Sequence, residues 1–197
     1  MPFAYPVFLE LSGKRAVVIG AQAVAEGKAA ALAAAGAEVT VLENGAWSPA
    51  DLEGAFVCVA HSSDPAERDA IALAARDRGV LVNVMDDVSN CDFAAPAVVR
   101  RGDLVLAIST GGRSPALARK LREELEDRFG PEWADVVDVL LEVRKETLAL
   151  LPDLPERSRR WSGALDLEEA ATLVASGRRD ELKTSLLGRL LGQEVGA

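Results

Sequence analysis

The sequence predicts an α/β protein: a shortened parallel sheet of the doubly wound type, then a β-hairpin, then a helical C-terminal domain. Three observations carry that expectation. A strand, a glycine, a helix and a second strand follow one another within about thirty residues, the length of a βαβ unit, which implies parallel strands. The connection after that second strand is too short for both a helix and another strand. Beyond residue 131 apolar residues recur at helical spacing with no further strand pattern.

The elements follow in order. Arg15 to Ile19 is a short β-branched run ended by Gly20 and reads as a buried strand. Ala23 to Ala35 is almost all alanine and is stopped by Gly36, a strong helix with a glycine end. Glu38 to Leu42 is the second strand, and Phe56 to Ala60 is the next apolar run. Only residues 43–55 lie between them, enough for one capped turn at Ser48-Pro49-Ala50-Asp51-Leu52. In the strand order 3-2-1-4-5 the third strand is an edge, so its loss leaves the middle of the sheet intact.

After Ala60 a polar His61-Ser62-Ser63-Asp64-Pro65 turn leads to a helix from Pro65 to Arg78 and a strand from Val80 to Val84. Val98 to Arg100 and Leu104 to Ile108 flank Arg101-Gly102-Asp103 as an antiparallel pair. Ser114-Pro115, an N-cap and a first-turn proline, opens a helix to about Arg128. From Glu132 onward the chain reads as helical, with breaks at Pro152, Pro155 and Gly163. The expected domains are a Rossmann-like dinucleotide-binding-type domain over 1–95, a hairpin-and-helix region over 96–130 and a helical domain over 131–197.

Composition narrows the function classes. With 197 residues and 49% hydrophobic content the chain can bury one core and an appendage. No apolar run reaches the length of a membrane span, and Met1 to Leu11 lacks the basic start of a secretory signal. Cys58 and Cys91 lie in unlike settings and suggest reduced thiols and a cytoplasmic location. The net charge of −9 argues against a nucleic-acid partner. Locally the balance reverses: Arg100, Arg101, Arg113, Arg119, Lys120 and Arg122 face the single acid Asp103, which suits an anionic small molecule.

Four groups of residues can carry chemistry. Gly20-Ala21-Gln22-Ala23-Val24-Ala25 stands where a G-x-G-x-x-G/A dinucleotide loop belongs, although position 22 should be glycine so that backbone approaches the pyrophosphate. Glu43, at the end of the second strand, is placed to bind ribose hydroxyls; the alternative for the loop is a plain strand-to-helix turn. Asp86 and Asp87 end the strand Val80 to Val84, on the side where open α/β sheets bind ligands. Asp86 there can act as general base or hold a metal in transit, whereas Asp87 reads better as a turn or capping aspartate. His61, the only histidine, can shuttle a proton or ligate a metal, or be structural. Ser109-Thr110-Gly111-Gly112-Arg113-Ser114 offers backbone N–H groups at a helix start, an anion site or simply a tight turn into a capped helix.

Together these residues resemble the precorrin-2 dehydrogenase/sirohydrochlorin ferrochelatase family, the N-terminal module of siroheme synthases and its stand-alone relatives. The likeness begins at Pro6-Val7-Phe8 and Leu11 and continues through Val24-Ala25, Lys28 and Pro49-Ala50-Asp51-Leu52-Glu53. It is most specific in Asn83-Val84-Met85-Asp86-Asp87, Cys91-Asp92-Phe93, Pro96 and the block from Ser109 to Arg119. The resemblance implies NAD-dependent oxidation of precorrin-2 to sirohydrochlorin, followed in some members by iron insertion, and a homodimer built through the hairpin and the helices after it. It places the key aspartate on Asp86, as proton acceptor. It makes Asn83 and Ser109, Thr110, Gly111, Gly112, Arg113 and Ser114 candidate ligands of a carboxylate-rich tetrapyrrole. His61 joins Asp86 as a candidate catalytic group and as a transient metal ligand.

The departures lie on the dinucleotide side. The family's G-G-G is Gly20-Ala21-Gln22, its Arg-Lys is Gly27-Lys28, its Ala-Thr-Asp-Asp turn becomes His61-Ser62-Ser63-Asp64 after Ala60, and the third strand and its helix are missing. Two readings therefore stand beside the dehydrogenase: an NAD-independent sirohydrochlorin metal chelatase, and a non-catalytic tetrapyrrole-binding dimer.

Overall fold

Ala16–Ile19 are all buried, so the first strand, β1 (Arg15–Ile19), lies at the centre of its sheet and not at an edge. The computed structural model describes residues 5–192, apart from the side chains of Gln22 and Ala23. The chain divides into two compact units, Met1–Ala95 and Pro96–Ala197.

In the first unit β1 is followed by α1 (Gln22–Ala34), β2 (Glu38–Leu42), β3 (Val57–Ala60), α2 (Pro65–Arg76) and β4 (Leu81–Val84). The four strands form one parallel sheet in the order β2-β1-β3-β4. This is a Rossmann-like arrangement without its third strand, as the short connection requires. Residues 43–56 make the crossover with a single 3-10 turn, Pro49–Leu52, which Ser48 closes by donating its N–H and hydroxyl to Asp51 Oδ2 at 2.7 and 2.8 Å. Leu52 is fully buried among Val17, Ile71, Ala75 and Val82, so one apolar side chain fills space that a crossover helix would otherwise occupy. The chain order reverses between β1 and β3, which makes the crevice outside their carboxyl ends the ligand position of this topology.

The outer edge of β4 is closed by Asp92. Its N–H donates to the Val82 carbonyl at 2.7 Å, and its Oδ2 accepts the Val82 N–H at 3.2 Å. One residue thus occupies both backbone groups that an edge strand offers to another chain.

The second unit holds an antiparallel hairpin, β5 (Ala97–Arg101) and β6 (Leu104–Ile108), then α3 (Pro115–Arg128), α4 (Trp133–Thr147), α5 (Leu154–Ala164), α6 (Leu167–Ala175) and α7 (Arg179–Leu191). Val136, Val139 and Val143 of α4 recur at helical spacing and bury against Leu173, Leu182, Leu186 and Leu190. Two expected breaks move. Pro155 lies in the first turn of α5, where its missing N–H costs nothing, and Gly163 lies inside the same helix, which ends at Ala164. A break missing from the sequence reading separates α6 from α7 at Gly177, whose φ of +73° turns the chain.

Candidate functional site

β1 delivers its end to the reversal point through Gly20, whose N–H donates to the Leu42 carbonyl at 3.0 Å. Gly20 is buried, and a Cβ there would meet the His61 carbonyl oxygen at 3.4 Å. Ala21 caps α1 without a side-chain acceptor, and the Val24 N–H turns back to the Ala21 carbonyl at 3.0 Å. Ala25 packs helix to sheet at 1% exposure. Val24 and Lys28 line a shallow depression with Val18, Val59, His61 and Met85. Glu43 stands exposed at the end of β2, its carboxylate free of hydrogen bonds among the described residues. The side chains of Gln22 and Ala23 lie outside the described residues. The group that is described fits a dinucleotide: a helix start with no capping side chain suits a pyrophosphate, and the free acid on the neighbouring strand suits ribose hydroxyls.

Asp86 and Asp87 have opposite environments. Val84, Met85, Asp86 and Asp87 form a turn closed by the Asp87 N–H on the Val84 carbonyl at 3.2 Å. Asp86 takes φ +61°, and among the described residues no other non-glycine has positive φ. Its carboxylate is exposed and has no partner among those residues. Asp87 is fixed: it accepts from Ser89 Oγ at 2.5 Å, Arg68 Nε at 2.9 Å and Asn90 Nδ2 at 3.2 Å. Those bonds, the Ser89 hydroxyl first, lower its carboxyl to about 2. Asp86 is thus a free acid in a left-handed turn, beside a second acid that three bonds pin.

His61 follows β3 as Met85 follows β4, and the register pairs Ala60 with Val84, so both sit at the same end of adjacent strands. Its N–H continues the ladder to the Ile19 carbonyl at 2.8 Å, and among the described residues its imidazole has no partner. No three His, Cys, Asp or Glu side chains converge on a metal position among the described residues.

Asn83 is 9% exposed, and its amide nitrogen is already engaged, donating to the Phe93 carbonyl at 2.7 Å and to Cys91 Sγ at 3.5 Å. Cys91 donates in turn to the Val84 and Asp87 carbonyls at 3.1 and 3.2 Å, and burial pushes its thiol up. Asn83 and Cys91 therefore hold the turn that carries Asp86.

In the second unit the Ser109–Ser114 loop closes on itself. Gly111 N–H donates to Ser109 Oγ at 3.2 Å, Arg113 N–H to the Thr110 carbonyl at 3.2 Å and Ser114 N–H to Thr110 Oγ1 at 3.1 Å. The Ser114 hydroxyl accepts from Leu117 N–H at 3.2 Å and caps α3. Of the N–H groups from Gly111 to Ser114, only that of Gly112 has no acceptor among the described residues. The expected cradle of backbone donors is thus mostly used internally. The tight-turn reading describes the backbone, and the exposed guanidinium of Arg113 is what faces solvent.

The basic island also divides. Arg101 donates to the Phe129 carbonyl at 2.8 Å and the Glu126 carbonyl at 3.1 Å, stapling hairpin to helix. Arg119 pairs with Glu123 and Arg122 with Glu126 along α3. Arg100, Arg113 and Lys120 remain exposed without an acidic partner among the described residues.

Sequence reasoning missed Glu67 and Arg68. Glu67, in the first turn of α2, accepts from Asn44 Nδ2 (3.1 Å), Gly45 N–H (2.7 Å), Trp47 Nε1 (2.9 Å) and Ser62 Oγ (2.6 Å). The Ser62 hydroxyl above all, and then the other donors, hold its carboxyl below the usual range. Arg68 reaches both Asp87 and the Ser62 carbonyl, at 2.9 and 3.0 Å. An acid in a helix's first turn is so ordinary that no local signal separates this one from a solvated charge.

Comparison with known proteins followed the same division. Residues 7–97 match a family described as putative NAD(P)-binding, and residues 101–128 match one described as the central part of a sirohaem biosynthesis protein. Siroheme synthase 1 of Pectobacterium atrosepticum is 31% identical over 96% of this chain and 43% of its own length. Siroheme synthase of Methylococcus capsulatus is 31% identical over 92% of this chain and 42% of its own length. The chain thus spans less than half of those relatives. A solved structure described as SirC, precorrin-2 dehydrogenase, shares the fold with a TM-score of 0.61 at 22% identity, covering 95% of this chain and 98% of that one.

Proposed function

The chain belongs to the precorrin-2 dehydrogenase/sirohydrochlorin ferrochelatase family, and from that premise we propose that it is an NAD-dependent dehydrogenase that oxidises precorrin-2 to sirohydrochlorin. The observation that supports this most is Asp86. It is an exposed, unpartnered carboxylate held in a left-handed turn at the carboxyl end of β4, in a unit whose reversal point fits a dinucleotide. The oxidation removes two hydrogens, one as hydride and one as a proton. Bound NAD⁺ supplies the hydride acceptor. Asp86 takes the proton on its carboxylate, which no neighbour shields. Gly20 and the first turn of α1 receive the pyrophosphate, and Glu43 receives ribose hydroxyls. In the second unit, taken by itself, Arg100, Arg113 and Lys120 carry the charge sign that suits a carboxylate-rich ligand.

The protein works as a homodimer in this reading. The hairpin face made by Val98, Arg100, Val105 and Ala107 lies opposite the buried Val99, and Val98 is 38% exposed. Both cysteines are free, in keeping with a reducing cytoplasm. No helix among the described residues is long and apolar enough to cross a membrane.

Iron insertion is a second reading, with iron as substrate. The His61 imidazole, unpartnered among the described residues, supports it: it lines a depression with Met85, the residue before Asp86, and in this reading His61 and Asp86 take the pyrrole protons released as a metal enters. The deciding experiment is calorimetric titration with NAD⁺, with and without the tetrapyrrole. Saturable binding in the range of about 1 μM to 1 mM is the expected result. No heat under either condition overturns the dehydrogenase and leaves metal insertion, or carriage of the pigment, to be assayed.

A further inference from the structure

Two neighbouring side chains in the first turn of α2 reach the loops that follow β2, β3 and β4. Glu67 gathers four donors: Asn44, Gly45 and Trp47 after β2, and Ser62 after β3. Asn44 extends the chain of bonds by also donating to the His61 carbonyl at 2.9 Å. That bond joins the loop after β2 to the loop after β3, and β1 lies between those strands, so it spans the end of β1 where Gly20 turns into α1. Arg68 takes the other side, joining the Ser62 carbonyl to Asp87.

The sheet's brevity makes this pair necessary. With no third strand, β2 has no strand beyond it to hold its outgoing loop, and residues 44–47 are tied to α2 through Glu67 and to the loop after β3 through Asn44. We infer that Glu67 and Arg68 are positioning residues that divide the site between them. Glu67 sets the dinucleotide half, by fixing the loop that carries Glu43 and the His61 backbone beside Gly20. Arg68 sets the proton-accepting half, by pinning Asp87 and with it the turn that presents Asp86. The assignment rests on the dehydrogenase reading above.

Neutral glutamine at 67 keeps one acceptor oxygen and turns the other into a donor that faces donors. Methionine at 68 keeps length and loses both bonds, whereas lysine keeps a charge that can reach one of them. The test uses the full chain, its Glu67→Gln, Arg68→Met and Arg68→Lys variants, and melting curves to set the folded fraction. NAD⁺ affinity comes from calorimetry, the loop's position from the indole N–H resonance of Trp47, and kcat and its pH profile from turnover at saturating NAD⁺.

Glu67→Gln is expected to shift the Trp47 resonance and to weaken NAD⁺ binding roughly tenfold or more, with kcat retained, because the displaced loop affects binding and not the acceptor turn. Arg68→Met is expected to keep NAD⁺ affinity within about twofold, lower kcat roughly tenfold or more and move the pH profile, with partial rescue by Arg68→Lys. A purely structural role changes the active fraction, hence calorimetric stoichiometry and Vmax, but not Kd or the profile. The inference is overturned if Glu67→Gln leaves Kd unchanged, or if both variants lower the same parameter by the same factor. Absence of NAD⁺ binding by the parent chain overturns the dehydrogenase reading and this inference together.

Discussion

At position 86 the backbone is left-handed, and L-residues resist that conformation by about 1–2 kcal/mol, aspartate less than most. The turn could have used glycine; the free carboxylate there is the group that the proposed proton transfer needs. Asp86→Gly is therefore expected to stay within about 1 kcal/mol of the parent in stability, and Asp86→Ala to fall by about 1 kcal/mol. Both should lose turnover, so thermal melting and activity measured together separate the proton acceptor from the turn-former.

Asp87 gives a pH signature of the opposite kind. Its folded-state carboxyl lies at about 2, below the ordinary 3.8. A depressed acid stabilises the fold fully above its unfolded value, and that contribution disappears as pH falls through the folded one. The window is therefore from about pH 4 down to about pH 2. Asp87→Asn should flatten the part of the acid melting curve that lies in that window; an unchanged slope there means the bonds from Ser89, Arg68 and Asn90 together contribute nothing.

Elements are held by a few side chains that cross between them. Arg101 makes two charged bonds to the last carbonyls of α3, while Arg100, its neighbour on the strand, makes none among the described residues. Arg101→Met should destabilise the protein by about 1.5–3 kcal/mol in urea unfolding. Arg100→Met should change stability by no more than about 0.5 kcal/mol and weaken binding of a carboxylated tetrapyrrole instead. In α4, Trp133 is 8% exposed, its ring meets Phe129 at 5.0 Å, and its buried indole N–H has no acceptor among the described residues. Trp133→Phe removes that orphan donor and keeps most of the aromatic packing. The mutant should melt no lower than the parent by more than about 1.5 kcal/mol, whereas Trp133→Ala should lose about 3–5 kcal/mol.

For the molecule as a whole, the acidic total of −9 and the local cations of the second unit point the same way. Bulk charge discourages polyanions such as nucleic acid, while Arg100, Arg113 and Lys120 offer a small anion a local exception. The uncovered face of the hairpin bears on assembly. Val98→Lys, on the exposed face and paired with Ala107, should leave the fold intact and convert a dimer to a monomer in sedimentation. A dimer that persists in that variant places the interface elsewhere.

What the sequence by itself determined were the features set by neighbours along the chain. Strand period, alanine-rich helix, glycine stop and the Ser114-Pro115 cap act over a few residues, so β1, α1, β2, the hairpin and α3 were legible almost to the residue. So was the lost strand, because residues 43–55 cannot span the distance and also hold two elements. The left-handed glycine at 177 was missed because a single glycine in a helical pattern is tolerated as often as it breaks one. Only the tertiary structure decided which charges act. Glu67 meets partners 5 to 23 residues away, Arg68 meets Asp87 19 residues on, and Arg101 reaches 28 residues to α3. Such bonds depend on where folded loops come to rest, and no local pattern encodes them. The same holds for the Ser109–Ser114 loop: its composition advertised free N–H donors, and only folding showed that its own hydroxyls and carbonyls take most of them.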